Sequence, residues 1–329
     1  MTLTAHRDLD AIKAGLHRWL GRPVGDVTRP APGWSCETLV VDRDLVIRLP
    51  PVADGIFPTY DLAQQAAVQE AVAAGAVPVP SPVRFEPDPS FLGAPFIAMP
   101  FVDGVIISDY TPGDHWLGSL ADDSTRHEVW QSLMETVTAI HRVPVDGVGL
   151  RTGIDAELAY WTEYLEWATD GTPLPRPRLT DALVWCRDHR PTTAPDAGLL
   201  WGDVRLGNVI FDRSSARPAA VLDWDMVSAG PIEMDLAWFL ALERVQVGLT
   251  GESVPGFGSH DDAVVLAGHL AGRPLLDLDW YEIFALVRAT AVSTRIAILF
   301  ERAGQRSMFK PGEGPTMDAA LALIDASVR

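Results

Sequence analysis

One β-hairpin interrupts the otherwise helical second half of the sequence. Two short apolar runs, Asn208 to Phe211 and Ala219 to Leu222, flank the polar turn RSSARP. The surrounding segments instead repeat their apolar residues with the period of a helix. Because a hairpin returns the chain to its starting end, the residues just before the first run and just after the second should lie together.

Three polar residues occupy these two positions. Asp203 and Asn208 are separated by four residues in the loop before the first run, and Asp223 ends the second run. Phosphoryl transfer needs a carboxylate near the attacking hydroxyl and hard oxygen ligands that hold Mg²⁺ against the phosphates. Asp and Asn are also ordinary turn residues. The hairpin and the second Asp favour the functional interpretation.

The first hundred residues differ from the rest of the chain. After an amphipathic helix at Leu9 to Leu20, strands are predicted around one internal helix from Asp61 to Ala74. Helical patterns dominate from Thr125 onward, and the change falls near Phe101 to Gly104. The predicted strands of the first part are Thr38 to Val41, Leu45 to Leu49, Val83 to Phe85 and Phe96 to Met99. The predicted helices of the second part are Arg126 to Ile140, Ile154 to Ala168, Leu179 to Asp188, Asp235 to Arg244, Asp279 to Phe300 and Thr316 to Ser327, with loops at Gly248 to Ser259 and Lys310 to Pro315.

Composition restricts the partners. The 329 residues carry 44 acidic and 26 basic side chains, a net charge of −18 that repels nucleic acid and anionic membranes. Cys36 and Cys186 form neither a disulfide framework nor a zinc motif, and no secretory signal is evident at the N-terminus. We therefore expect a cytoplasmic protein with no nucleic-acid or membrane partner.

The sequence resembles the aminoglycoside phosphotransferase and choline kinase-like family, in a branch associated with acyl-CoA dehydrogenases and mycobacterial-type members that reads W-G-D where others read H-G-D. The motifs that carry this resemblance are Gly33-Trp34-Ser35, VIRLP, VPVP, FIAMPFVDG, AIHRV, WGDVRLGN and VLDWDMVSAGPIEMDLAW. It implies an α+β, protein-kinase-like two-lobed fold. A small antiparallel N-lobe with one internal helix would span residues 1–102, and a larger helical C-lobe residues 103–329.

The resemblance also implies a role for each matching residue. Asp203 would be the catalytic base, and Asn208 and Asp223 would bind Mg²⁺. Gly33 and Ser35 would contact the phosphates of ATP or GTP. A hinge at residues 99–102 would bind the nucleotide base, with Met99 at its start, the carbonyl of Pro100 accepting and the amide of Val102 donating.

Some positions depart from the family pattern. Trp201 replaces a His that braces the loop, and its indole can donate one hydrogen bond but cannot accept one. Arg48 stands where a phosphate-binding Lys is usual. The helix residue that orients this cation would be Gln65, which matches the family position, or Glu70, the nearby carboxylate. These two lie about 140° apart around a helix, so only one can face Arg48.

We expect an ATP- or GTP-dependent phosphotransferase that acts on a hydroxyl of a small molecule. The alternatives are a catalytically degenerate nucleotide-binding module and, less favoured, a nucleotidyl transferase on the same scaffold. The acidic surface suits an aminoglycoside, whereas the apolar, Trp-rich second lobe suits a hydroxylated acyl or other hydrophobic metabolite.

Overall fold

The computed structural model describes residues 6–30, 35–75, 77–108, 115–120, 122–144, 147–192 and 197–327. They form a small N-terminal lobe built on an antiparallel sheet and a larger, mainly helical C-terminal lobe, the two-lobed fold implied by the resemblance. The strands are β1 (Val27–Thr28), β2 (Glu37–Val41), β3 (Leu45–Leu49), β4 (Arg84–Glu86), β5 (Phe96–Pro100), β6 (Val105–Ile106), β7 (Gly198–Leu200), β8 (Val209–Phe211), β9 (Pro218–Val221) and β10 (Ser228–Gly230). The helices are α1 (Leu9–Leu20), α2 (Leu62–Ala74), α3 (His115–Ser119), α4 (Asp123–His141), α5 (Ile154–Ala168), α6 (Arg178–Asp188), α7 (Glu233–Thr250), α8 (His260–Ala271), α9 (Leu278–Arg302) and α10 (Pro315–Ser327).

The N-terminal sheet has the strand order β1-β2-β3-β5-β4. Successive side chains of a strand point to opposite faces. On β3, Ile47 and Leu49 are buried in a core that they share with α1. Val46 and Arg48 of the same strand face a cavity on the other side of the sheet. The alternation therefore directs Arg48 away from the apolar core.

Helices α1 and α2 begin and end at residues recognisable in the sequence. Asp8 and Asp61 cap their N-termini by accepting backbone N–H bonds from Ala11 and Gln64. Gly21, at a φ of 65°, ends α1 in the left-handed conformation that glycine adopts without steric cost. Local chemistry thus accounts for both ends of α1 and for the start of α2.

The C-terminal lobe is organised around α9. This 25-residue helix has a stretch with mean hydropathy 1.7, long and apolar enough to cross a membrane, but 67% of that stretch is buried inside the fold. Helices α5, α6, α7 and α10 pack against it. Its apolar character is explained by this central position.

The hairpin predicted in the second half is present. Strands β8 and β9 pair antiparallel, and β6 extends them to three strands. The prediction that residues 248–259 form a loop is correct from Gly251 onward only, because α7 continues to Thr250. The sequence interpretation also missed α8, which starts with a capping box between Ser259 and Asp262.

Truncating a core side chain of α1 should weaken the N-terminal lobe. Leu16 is fully buried against the sheet, so Leu16→Ala should lower the free energy of unfolding by about 2–5 kcal/mol. Leu276→Ala removes the same atoms from an exposed site and should change it by less than about 0.5 kcal/mol. Urea denaturation measures both, and equal effects would contradict the packing described for α1.

Candidate active site

The loop between β7 and β8 carries Asp203 and Asn208. Gly202 has a φ of 93°, and a Cβ there would lie 2.3 Å from the carbonyl oxygen of Met226. This close approach requires glycine. A 3₁₀ turn over Leu206–Asn208 then brings Asn208 back to Asp203. Its amide Nδ2 donates to the Asp203 carbonyl at 3.1 Å and to Asp203 Oδ2 at 2.7 Å.

Both carboxylate oxygens of Asp203 accept hydrogen bonds. Oδ2 accepts from Asn208 and from Arg205 Nε at 3.0 Å, and Oδ1 accepts from Trp238 Nε1 at 3.0 Å. Burial raises the pKa of Asp203 above its ordinary value, although Arg205 opposes this effect. The carboxylate is therefore fixed in orientation and more basic than a solvated one. Arg205 braces the loop through this ion pair, and Trp238 adds a contact from α7 that the sequence motif does not contain.

A buried carboxylate on α7 holds the start of the loop. Asp235 Oδ2 and Oδ1 accept from the backbone N–H groups of Trp201 and Gly202, both at 2.8 Å. Burial raises the pKa of Asp235 to about 6, although the two hydrogen bonds by themselves lower it. The sequence pattern, with Asp235 just before an apolar run, suggests an N-cap-like residue, but Asp235 is the third residue of α7. It acts on the backbone of the loop instead.

Trp201 connects the loop to the end of β9. Its indole Nε1 lies 2.9 Å from the carbonyl oxygens of both Leu222 and Asp223, and the side chain is fully buried. One donor is thus shared between two acceptors. The bracing function that the resemblance assigns to His at this position is carried here by a tryptophan.

The end of β9 supplies two carboxylates to Arg48. Arg48 Nη2 lies 3.1 Å from Asp225 Oδ2 and 3.6 Å from Asp223 Oδ1. Asp225 Oδ2 also accepts from Ser35 Oγ, and its Oδ1 accepts from Gln65 Nε2 at 2.5 Å. Burial raises the pKa of Asp225 to about 6, although Arg48 opposes this effect. Asp225 therefore links β3, the segment before β2 and α2 of the N-terminal lobe to the C-terminal lobe.

The helix α2 turns Gln65 and Glu70 in different directions, as the angle between them predicts. Gln65 is buried and reaches Asp225, whereas Glu70 accepts from Ser81 Oγ and the backbone N–H of Val83. Within the described residues, Arg48 has its ion pairs with Asp225 and Asp223 and with neither α2 residue. Asp225, which the sequence analysis did not include in the site, takes the place of the expected helix partner. The D-W-D spacing with Asp223 was the available signal.

A cavity of about 240 Å³ lies between the sheet and the hairpin. The predicted site residues that line it are Ser35, Arg48, Met99, Pro100, Val102, Asn208 and Asp223. Gln65 and Glu70 do not line it, and Gly33 lies outside the described residues. Cys36 also lines the cavity, and burial raises its pKa to about 12, so it remains a neutral thiol.

The backbone at the end of β5 presents polar groups beside this cavity. The N–H of Phe101 donates to the carbonyl of Asp44 at 2.9 Å. In a trans peptide the carbonyl points opposite to the N–H, so the Pro100 carbonyl points away from β3. Among the described residues, the N–H of Val102 has no backbone acceptor. An acceptor and a donor two residues apart are thus available to a planar base.

Asn208 and Asp223 have oxygen atoms suited to Mg²⁺. Asn208 uses its amide nitrogen on Asp203, which leaves its side-chain oxygen for another partner. Asp223 has a φ of 63°, in the left-handed region where Asp is tolerated, and its side chain is 28% exposed beside the cavity. Two hard oxygen ligands beside the cavity fit Mg²⁺, which commonly retains water and substrate phosphate ligands as well.

The antiparallel-sheet lobe, the helical lobe and the loop that carries Asp203 and Asn208 beside the cavity define a protein with the kinase-like fold of small-molecule phosphotransferases. The chain belongs to the phosphotransferase enzyme family, whose model matches residues 26–261. A solved structure from Ralstonia eutropha, provisionally assigned as an aminoglycoside phosphotransferase, has a TM-score of 0.67 at 20% identity and covers 96% of this chain and 94% of that chain. The solved structure of macrolide 2′-phosphotransferase type I has a TM-score of 0.59 at 16% identity, with 98% of each chain covered.

Curated relatives are much longer than the matched region. Acyl-CoA dehydrogenase family member 11 of Homo sapiens is 26% identical over 201 residues, which are 59% of this chain and 24% of that protein. A protein of Arabidopsis thaliana named among the acyl-CoA dehydrogenases is 26% identical over 242 residues, 67% of this chain and 29% of that protein. The chain thus spans less than a third of these relatives.

Removing one acceptor from Asp235 should loosen the loop. Asp235→Asn leaves one oxygen for two buried N–H donors and turns its NH₂ group toward them, so we expect a loss of about 1–3 kcal/mol in the free energy of unfolding. Asp279→Asn makes the same change at an exposed position of α9 and should be close to neutral. Chemical denaturation compares the two variants. A neutral Asp235→Asn would mean that the loop does not depend on this carboxylate.

Proposed function

We propose that the protein transfers the γ-phosphoryl group of ATP or GTP to a hydroxyl group of a small molecule, with Mg²⁺ as the cofactor. The observation that carries the proposal is the arrangement of Asp203 and Asn208. Three donors fix the carboxylate of Asp203. The hydrogen bond from the Asn208 amide nitrogen to Asp203 leaves the Asn208 side-chain oxygen available at the cavity between the sheet and the hairpin, called the nucleotide cavity below.

Asp203 is the proposed catalytic base. Its carboxylate would orient the acceptor hydroxyl and receive its proton as the bond to phosphorus forms. Trp238 on one oxygen and Arg205 with Asn208 on the other prevent the carboxylate from rotating. Such fixation lowers the entropy lost when the reacting groups are aligned.

Asn208 and Asp223 are the proposed Mg²⁺ ligands. The bound ion would neutralise charge on the phosphates, which also removes the conflict between a polyphosphate and a chain of net charge −18. Arg48 is held by Asp225 and Asp223 at the wall of the cavity, where its guanidinium can contact the α- and β-phosphates.

The nucleotide base is proposed to bind at Pro100 and Val102, through one carbonyl and one N–H. Nucleotide use is supported by structures of similar fold, among them a GDP complex of aminoglycoside 2′-phosphotransferase-IIIa and an ADP-bound aminoglycoside phosphotransferase. The named acceptors among these neighbours are aminoglycosides and macrolides. The curated relatives are named for acyl-CoA dehydrogenation, which keeps a hydroxylated acyl compound among the candidate acceptors.

Replacing the catalytic carboxylate should stop turnover without preventing nucleotide binding. Asp203→Asn keeps an oxygen for the donors around it but removes the base, so ADP formation with Mg-ATP and a panel of hydroxyl acceptors should fall at least about 100-fold. Affinity for a non-hydrolysable ATP analogue should stay within about threefold, since Asp203 does not line the nucleotide cavity. Asp181→Asn, at an exposed position of α6, is the matched control and should retain full activity.

Two results would contradict this mechanism. Unchanged ADP formation by Asp203→Asn would exclude Asp203 as the base. Tight binding of Mg-ATP by the wild-type protein without ADP release across the whole panel would instead favour a nucleotide-binding module that lacks catalysis.

A further inference from the structure

A second cavity, of about 330 Å³, lies against the same loop. Its walls include the loop residues 204–207, the part of α7 from Phe239 to Thr250, and residues 252–254 and Phe257 of the following segment. It shares no lining residue with the nucleotide cavity among the described residues. The loop therefore contributes Asn208 to one cavity and residues 204–207 to the other.

Asp203 lines neither cavity itself, but it contacts residues at the wall of this one. Its hydrogen-bond partner Arg205 lines the cavity, and so does Val204, the next residue in sequence. On α7, Phe239 lines the cavity directly after Trp238, which donates to Asp203. A molecule in this cavity would thus lie next to the groups that hold the proposed base.

The walls are mainly aliphatic and aromatic. Leu206 and Val254 are buried, while Leu249 is 60% exposed and its side chain borders the opening. The carboxyl groups among the described lining residues are those of Glu243 and the exposed Glu252. A polycation would need several carboxylates in the wall to replace its lost water, and the described part of the wall offers two.

We infer that this cavity binds the body of the phosphoryl acceptor, and that the acceptor is an uncharged alcohol with an apolar chain. The inference rests on the proposed function for its hydroxyl-transfer chemistry but concerns a separate binding site. Apolar walls favour such a chain in proportion to the area that it removes from water, and the hydroxyl at its end would reach Asp203.

Glu243 should make binding in this cavity depend on pH. Burial raises its pKa to about 7, although the nearby His260 opposes this effect. His260 itself is paired with Glu282 at 2.5 Å, and Arg205 and Glu252 are the other charged groups that the described residues place in the cavity wall. The protonated carboxyl is compatible with an apolar ligand, whereas the ionised form would lose water when the ligand covers it.

Calorimetric titration with 1-hexanol, 1-heptanol and 1-octanol, in the presence of Mg²⁺ and a non-hydrolysable ATP analogue, tests the inference. The association constant should rise about fourfold for each added methylene, the ratio that corresponds to about 0.8 kcal/mol. Kanamycin, a polycation, should bind more weakly than 1-octanol. Absence of a chain-length dependence, or tighter binding of kanamycin, would overturn the inference.

Two variants locate the binding. Leu249→Glu places a charge at the opening and should lower 1-octanol affinity at least about fivefold, whereas Val265→Glu makes a similar change at a 72% exposed position on α8 outside this cavity and should not. Glu243→Gln should remove the weakening of wild-type binding between pH 6 and 8. Equal effects of the two glutamate variants, with an unchanged pH profile for Glu243→Gln, would place the alcohol elsewhere.

Because these are binding measurements, they separate two kinds of failure. Alcohol binding in this cavity without ADP formation from Mg-ATP would contradict the proposed function, while the binding site would still stand. ADP formation with polar acceptors, without alcohol binding, would contradict the inference about the acceptor, while the proposed function would still stand.

Discussion

The candidate active site depends first on the buried carboxylate of Asp235. Its two oxygens accept from the two backbone N–H groups that precede Asp203, so the loop starts at a position fixed by α7. The same helix contributes Trp238 to the Asp203 carboxylate and Phe239 to the wall of the second cavity. One helix thus positions the loop, orients the proposed base and shapes the neighbouring cavity.

A second carboxylate joins the two lobes. Asp225 accepts from Ser35, Arg48 and Gln65, which come from three separate parts of the N-terminal lobe. This convergence explains how an uncharged residue, Gln65, can occupy the helix position closest to this site. The charge that balances Arg48 is supplied from the C-terminal lobe. A carboxylate in place of Gln65 on α2 would be repelled by Asp223 and Asp225, which already lie in this site.

Local chemistry made much of the fold predictable from the sequence. Capping residues and a glycine set both ends of α1 and the start of α2, and the bounds predicted for α1 and α5 agree with the structure. The capping box of α8 was present in the sequence, but glycine-rich surroundings obscured it. The roles of Asp225 and Asp235 depend on partners between 33 and 190 positions away, and a single sequence carries no periodic signal for such contacts. Spacing could place Asp203, Asn208 and Asp223 together, but not the groups that hold them.

The central claim is that the end of β9 and the loop form a site for a Mg²⁺-bound nucleotide. Calorimetric titration with a non-hydrolysable ATP analogue, in excess Mg²⁺ and again in EDTA, tests it most directly. We predict at least about tenfold tighter binding with Mg²⁺, because the free polyphosphate is repelled by Asp223 and its acidic neighbours, and loss of this difference in Asp223→Asn. Equal wild-type affinity under both conditions, or a Mg²⁺ effect that persists in the variant, would contradict the account.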